Sequence, residues 1–112
     1  MVTLLAIMIT VLPGSSYAGS EGSYANGQQL HDFCQEERAA SVQHGACYFY
    51  SAAIADVLAT TVINKFRACI PMTVKSEQAR DVVTKFLEDH PELRHYAAAG
   101  LVGEALSKAF PC

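Results

Sequence analysis

The chain has 112 residues, four of them cysteine, with 17% charged residues and a formal net charge of −3. That length sets a single domain. The eight Lys and Arg are scattered among eleven Asp and Glu, so there is no basic stripe and nucleic acid is excluded as an expected partner.

At the start, residues 2–12 form a mostly apolar run, Pro13 and Gly14 break it, and Ser16 and Ala18 supply small residues for cleavage. This layout predicts a secretory signal peptide over 1–18, although no Lys or Arg precedes the run. The run is too short to span a bilayer, and the apolar stretch 47–63 is short and interrupted by Asp56. No membrane insertion is expected once the leader is removed. Residues 19–27 (GSEGSYANG) read as a flexible lead-in, leaving 28–112 as the helical domain.

The first helix begins near Gln28, with Leu30, Phe33, Cys34 and Ala40 on one face; SVQHG closes it, with Gly45 as the breaker. The second segment, 46–65, is apolar nearly all round, which predicts a central helix surrounded by its neighbours. Val57, Thr60, Thr61, Val62 and Ile63 favour a strand there, but the length and the SAAIA run favour helix. In the third segment Ala79, Val82, Val83, Phe86, Leu87 and His90 recur at helical spacing, Ser76 is the expected N-cap, and Pro91 ends the helix. A fourth helix is expected over 92–109 with Pro91 in its first turn. Its small residues at 97–100 and Gly103 permit another helix to approach closely.

Four helices with short links predict an all-α fold, a small antiparallel four-helix bundle. Four cysteines in an exported chain make two disulfides, with three pairings open. In an antiparallel bundle Cys34 and Cys47 flank the first turn at similar distances, whereas Cys69 follows the second helix and Cys112 the fourth. The other pairings join opposite ends of the bundle, which no disulfide spans. The expected pairs are Cys34–Cys47 and Cys69–Cys112.

The search for chemistry gives little. There is no CxxC, phosphate loop, G-x-S-x-G elbow or HExxH, so no cofactor, metal site or catalytic residue is expected and the protein is read as a non-enzyme. His31 and Asp32 are sequence neighbours and point about 100° apart on a helix. His90 and His95 flank Pro91, but His90 continues an apolar face and reads as a packed side chain. His44 reads as solvated. Asp56, inside the most apolar segment, reads as a structural buried acid held by Arg67, Arg94, a histidine or a tyrosine; the competing reading is an acid–base group. Tyr48, Phe49 and Tyr50 point in different directions around a helix, so at least one ring must reach the surface or a partner.

The segment SEQARDVVTKFLEDHPELRHYAAAGLVGEALSKAFPC resembles the C-terminal half of the Rap/Tai immunity family, small exported helical proteins associated with type VI secretion in Gram-negative bacteria. The matching features are Cys69 with Pro71, Gln78, Val82 and Val83, Leu87, His90–Pro91–Glu92, the alanines 97–99, Ala105 and Leu106, and 110–112. Cys47, Tyr50 and Asp56 match the family's spacing in helix two. Phe49 and Ala53 stand where the family often shows glycine, and Ile70 separates Cys69 from Pro71. The resemblance implies a periplasmic immunity protein that binds and occludes a cell-wall amidase effector. Loops on a rigid scaffold often carry recognition. The expected contact residues are therefore Ser41, Gln43 and His44 in the first turn, with Met72 and Lys75 in the loop 70–75. The aromatic content also admits a homodimer. The rival readings are a periplasmic acid-stress chaperone, a structural envelope domain without a toxin partner, and an enzyme centred on Asp56 and a histidine.

Overall fold

A computed structural model describes residues 23–35 and 41–112. The expected leader, the first part of the lead-in and the expected end of the first helix (36–40) lie outside the described residues. The fold is all-α: α1 (Gly27–Cys34), α2 (Val42–Leu58), α3 (Ser76–Asp89) and α4 (Ala98–Ala109), with a 3-10 turn at Pro91–Leu93 before α4. Among the described residues there is no strand, only isolated bridges between Asn26 and Ala97 and between Ile63 and Phe66.

Capping starts α1. The Asn26 side chain accepts from the Gln29 N–H (2.9 Å), and Gln29 Oε1 accepts from the Asn26 N–H (3.0 Å), a reciprocal capping box. The flexible lead-in therefore ends earlier than expected. Ala25 O accepts from the Ala98 N–H at 3.0 Å, and the Gly27 N–H donates to Tyr96 O at 2.8 Å, tying residues 25–27 to the start of α4. These bonds are long-range, so nothing in the local glycine- and serine-rich composition announces them.

Helix α2 departs from its expected bounds at both ends. Ser41 Oγ accepts from the His44 N–H at 3.0 Å, so Ser41 caps the N-terminus and Gly45 lies inside the helix rather than breaking it. At the other end the helix stops at Leu58, where an extension to 65 was expected. Asn64 and Lys65 adopt left-handed φ of 46° and 70°, which a right-handed helix cannot include. They form the centre of a tight turn in which Ile63 N–H donates to Phe66 O (3.1 Å) and Phe66 N–H to Ile63 O (2.8 Å). This turn rests on α4: a Cβ at Gly100 would come within 2.7 Å of Asn64 Nδ2, and one at Gly103 would touch Phe66 and Ile63. The small residues of α4 thus admit a turn, not another helix.

The apolar face of α3 is buried as its periodicity predicts, through Ala79, Val83, Phe86 and Leu87. Its N-cap is Lys75 rather than Ser76; the Lys75 N–H is accepted by Gln78 Oε1 at 2.7 Å. At the far end His90 leaves helical geometry before Pro91. Its ring stacks on Phe86 with centroids 4.2 Å apart and places Nδ1 2.8 Å from Phe86 O, where a protonated Nδ1 donates. Arg94 completes the cap, donating from Nε to Leu87 O (2.7 Å) and from Nη2 to Glu88 O (3.3 Å). These bonds satisfy carbonyls that a helix end otherwise leaves open. Pro91 begins only the short 3-10 turn, and α4 starts at Ala98, later than the expected 92.

Helix α4 is the most buried of the four, enclosing Ala98, Leu101, Val102, Gly103, Ala105 and Leu106. Leu30, Leu58, Val83, Phe86 and Leu87 join them in the core. Helix α2, expected to be surrounded by its neighbours, instead leaves one side open to solvent. Both disulfides are as expected: Cys34–Cys47 and Cys69–Cys112, each with a Cα–Cα separation of 5.0 Å. The contacts His44–Arg80 and Cys47–Thr84 advance in the same direction along α2 and α3. Simple antiparallel pairing does not describe these two helices, and the long connection 59–75 makes that possible.

Candidate partner-binding face

Helix α2 buries Cys47, Ser51 and Leu58 on one side. The opposite side is also apolar but is open. Val42 is 85% exposed, Phe49 71% and Val57 43%, and Ala53, Asp56 and Thr60 are exposed among them. At 100° per residue the five positions within α2 (42, 49, 53, 56 and 57) fall within about 100° of arc, a stripe along the helix that Thr60 follows just past its end. Two apolar faces explain why the segment reads as buried all round: periodicity detects contrast between faces, and here there is little. Phe49 and Ala53, where the chain departs from the glycines of the resemblance, sit at the centre of this stripe.

Asp56 is a correction. It is exposed on the open face of α2, not a buried acid. The cations proposed to hold it are used or placed elsewhere: Arg94 caps α3 and Arg67 is exposed. A charge within an apolar helix is costly only when that side of the helix is covered.

The three rings divide as a helix requires. Phe49 faces solvent and meets Tyr48 edge-on, with centroids 5.0 Å apart and planes at 84°. Tyr50 turns inward and packs against the core. Burial of its hydroxyl is the larger influence on its pKa and raises it above 10.0, against a smaller lowering influence of the Ala99 backbone. Helix α4 has no capping side chain of its own at Ala97, and Tyr50 sits close to the backbone of its first turn.

Of the expected contact residues, Ser41 is half-buried and committed to capping, Gln43 is exposed, and His44 is half-buried. His44 Nε2 lies 3.1 Å from Arg80 Nη1, and Arg80 Nη2 pairs with Asp81 Oδ1 at 2.9 Å. These groups line a groove of about 280 Å³ with Gln35, Thr84 and Glu88, beside Cys34. Gln35 Nε2 donates to Glu88 Oε1 across it (3.2 Å). Asp56 is not among the lining residues, so the structure does not bring it together with an imidazole there. Met72 and Lys75 are exposed on the separate loop 70–75, which is turned by a Val74 N–H to Pro71 O bond of 3.0 Å. The structure thus joins His44 to α3 and leaves Met72 and Lys75 apart. Sequence reasoning missed the α2 stripe; the signal present was the exposed ring demanded by three consecutive aromatics.

Among the described residues, no group of three His, Cys, Asp or Glu could hold a metal ion. No described helix is long and apolar enough to cross a membrane.

A disulfide-stapled all-α domain that leaves the open side of its most apolar helix bare has the architecture of a small protein-binding module. A rigid scaffold of this kind presents a side-chain surface at low ordering cost. The chain belongs to the family of Rap1a immunity proteins, whose model matches residues 26–112. That span contains all four helices and all four cysteines. No curated protein and no solved structure matches the chain. Family membership implies a toxin effector as partner; members are generally non-catalytic and typically periplasmic.

Proposed function

We propose that this chain is a periplasmic type VI secretion immunity protein that binds a peptidoglycan-amidase effector and occludes its cleft, with the open face of α2 as the principal contact. Family membership supplies the class of partner. The observation that carries the surface is the exposure of Val42, Phe49 and Val57 on one stripe. Covering an aromatic side chain is worth about 1.5–3 kcal/mol in the transfer picture, and aromatic anchors dominate interface energetics. His44 and the groove beside it supply a polar margin, and Met72 and Lys75 form a second, separate candidate contact. The residues 1–18, with their leader-like pattern, are the proposed export signal.

The test is capture from periplasmic extract by the tagged, oxidised domain at neutral pH, with mass spectrometry of what is retained. Recovery of one peptidoglycan-cleaving enzyme in near-stoichiometric amount supports the proposal. Recovery of nothing, or of many unrelated proteins, overturns it in favour of a structural or chaperone role. A second copy of this chain is the competing occupant of the stripe. Sedimentation of the purified domain decides that point: a dimer dispersed by Phe49→Asp would assign the stripe to self-association.

A further inference from the structure

The two disulfides differ in setting. Cys34–Cys47 lies between α1 and α2, with Cys47 only 1% exposed and Cys34 half-buried. Cys69 and Cys112 are both exposed. Around them Pro71, Met72, Lys75 and Pro111 are exposed as well, so the bond is flanked by accessible peptide rather than by a packed helix face.

We propose that Cys69–Cys112 is a thiol–disulfide exchange site, a substrate for a dithiol oxidoreductase of the thioredoxin class, whereas Cys34–Cys47 is a permanent staple. Exchange requires a thiolate to reach one sulfur of the bond while the other departs as a thiolate. At Cys69–Cys112 the reductant's thiolate attacks Cys112 Sγ, the S–S bond breaks, and Cys69 leaves into solvent and takes up a proton. The second thiol of the reductant then attacks the mixed disulfide and releases the Cys112 thiol. Two electrons pass to the protein and the dithiol becomes a disulfide; the reverse sequence re-forms the bond. At Cys34–Cys47 attack on the half-buried sulfur expels Cys47 as a thiolate inside the core, where a charge without strong partners is disfavoured. Among the described residues Cys47 Sγ meets Thr84 Oγ1 only at 3.9 Å, a weak contact.

The exchange site is built to survive opening. Cys69 N–H donates to Phe110 O at 2.9 Å, Ala68 is buried, and Ile70 and Phe110 pack against the core. These contacts hold the two segments together without the covalent bond, so the sulfurs stay placed to rejoin. Opening removes the covalent link beside the loop 70–75, while the contacts of Ala68, Cys69 and Ile70 remain. The chemical part of this proposal does not rest on the immunity reading.

The test uses the wild-type oxidised protein. It is incubated with reduced thioredoxin under native conditions, quenched with iodoacetamide at intervals, and each cysteine is followed by peptide mass spectrometry alongside far-ultraviolet circular dichroism. The expected result is labelling of Cys69 and Cys112 at least tenfold sooner than Cys34 and Cys47, with helical signal retained and the bond restored on reoxidation. Simultaneous labelling of all four cysteines, earlier labelling of Cys34, or resistance of all four overturns the proposal.

Discussion

Gly27 lies against the backbone of Arg94: a Cβ added to Gly27 would come within 2.9 Å of both Arg94 Cα and Arg94 O. Here the first turn of α1 meets the segment that caps α3 and leads into α4. The approach is made by backbone atoms, which cannot rotate away as a flexible side chain can. Gly27→Ala is expected to destabilise the oxidised protein by about 1–3 kcal/mol, the cost of overpacking a filled site, despite alanine's better helix propensity. Urea unfolding monitored by circular dichroism measures it, and an unchanged midpoint would show that the two segments separate without loss.

Tyr50 is a test of the junction between α2 and α4. Tyr50→Phe removes the half-buried hydroxyl beside the Ala99 backbone while keeping the ring, and the expected cost is at most about 1 kcal/mol. The same residue gives a pH signature. Burial raises the hydroxyl's pKa in the folded state above its ordinary 10.0, so the folded state holds the proton more tightly than the unfolded one. The associated stability is fully present below pH 10.0 and is lost as pH rises through the folded-state pKa. In Tyr50→Phe that part of the alkaline loss should vanish when unfolding is repeated across the pH series.

Ser51 is fully buried and its Oγ has no hydrogen-bond partner among the described residues. An unsatisfied buried hydroxyl costs about 1–3 kcal/mol, and alanine is the better helix former. Ser51→Ala is therefore expected to raise stability by about 1 kcal/mol, opposite in sign to most core truncations. A clear fall in the unfolding midpoint would mean that the hydroxyl has a partner in solution.

Much of the scaffold was legible in the residues. The spacing of Ala79, Val83, Phe86 and Leu87 placed α3 because its two faces differ sharply, and the disulfide pairs followed from which cysteines flank the same end of a bundle. What escaped was set by contacts distant in sequence. The 3-10 turn at Pro91–Leu93 and the late start of α4 depend on residues 25–28 pairing with residues 94–98. Gly45 lies within a helix because Ser41, four residues earlier, caps it, and the cap outweighs the glycine's modest penalty. The candidate site was half legible. Three consecutive aromatics required an exposed ring, but an apolar segment with no polar face reads as interior, and only the fold reveals that one of its sides has no cover. Asp56 was misread for the same reason.

The open stripe of α2 is the surface proposed to bind the effector. The most direct measurement is the affinity of the purified protein for the amidase it captures, by calorimetry, for wild type, Phe49→Asp and the loop double variant Met72→Glu/Lys75→Glu. Circular dichroism confirms that each variant is folded. Placing a charge at the centre of the stripe is expected to weaken binding at least a hundredfold, about 2.7 kcal/mol, with the loop variant affected much less. Wild-type affinity in Phe49→Asp, or a loss confined to the loop variant, would contradict the account.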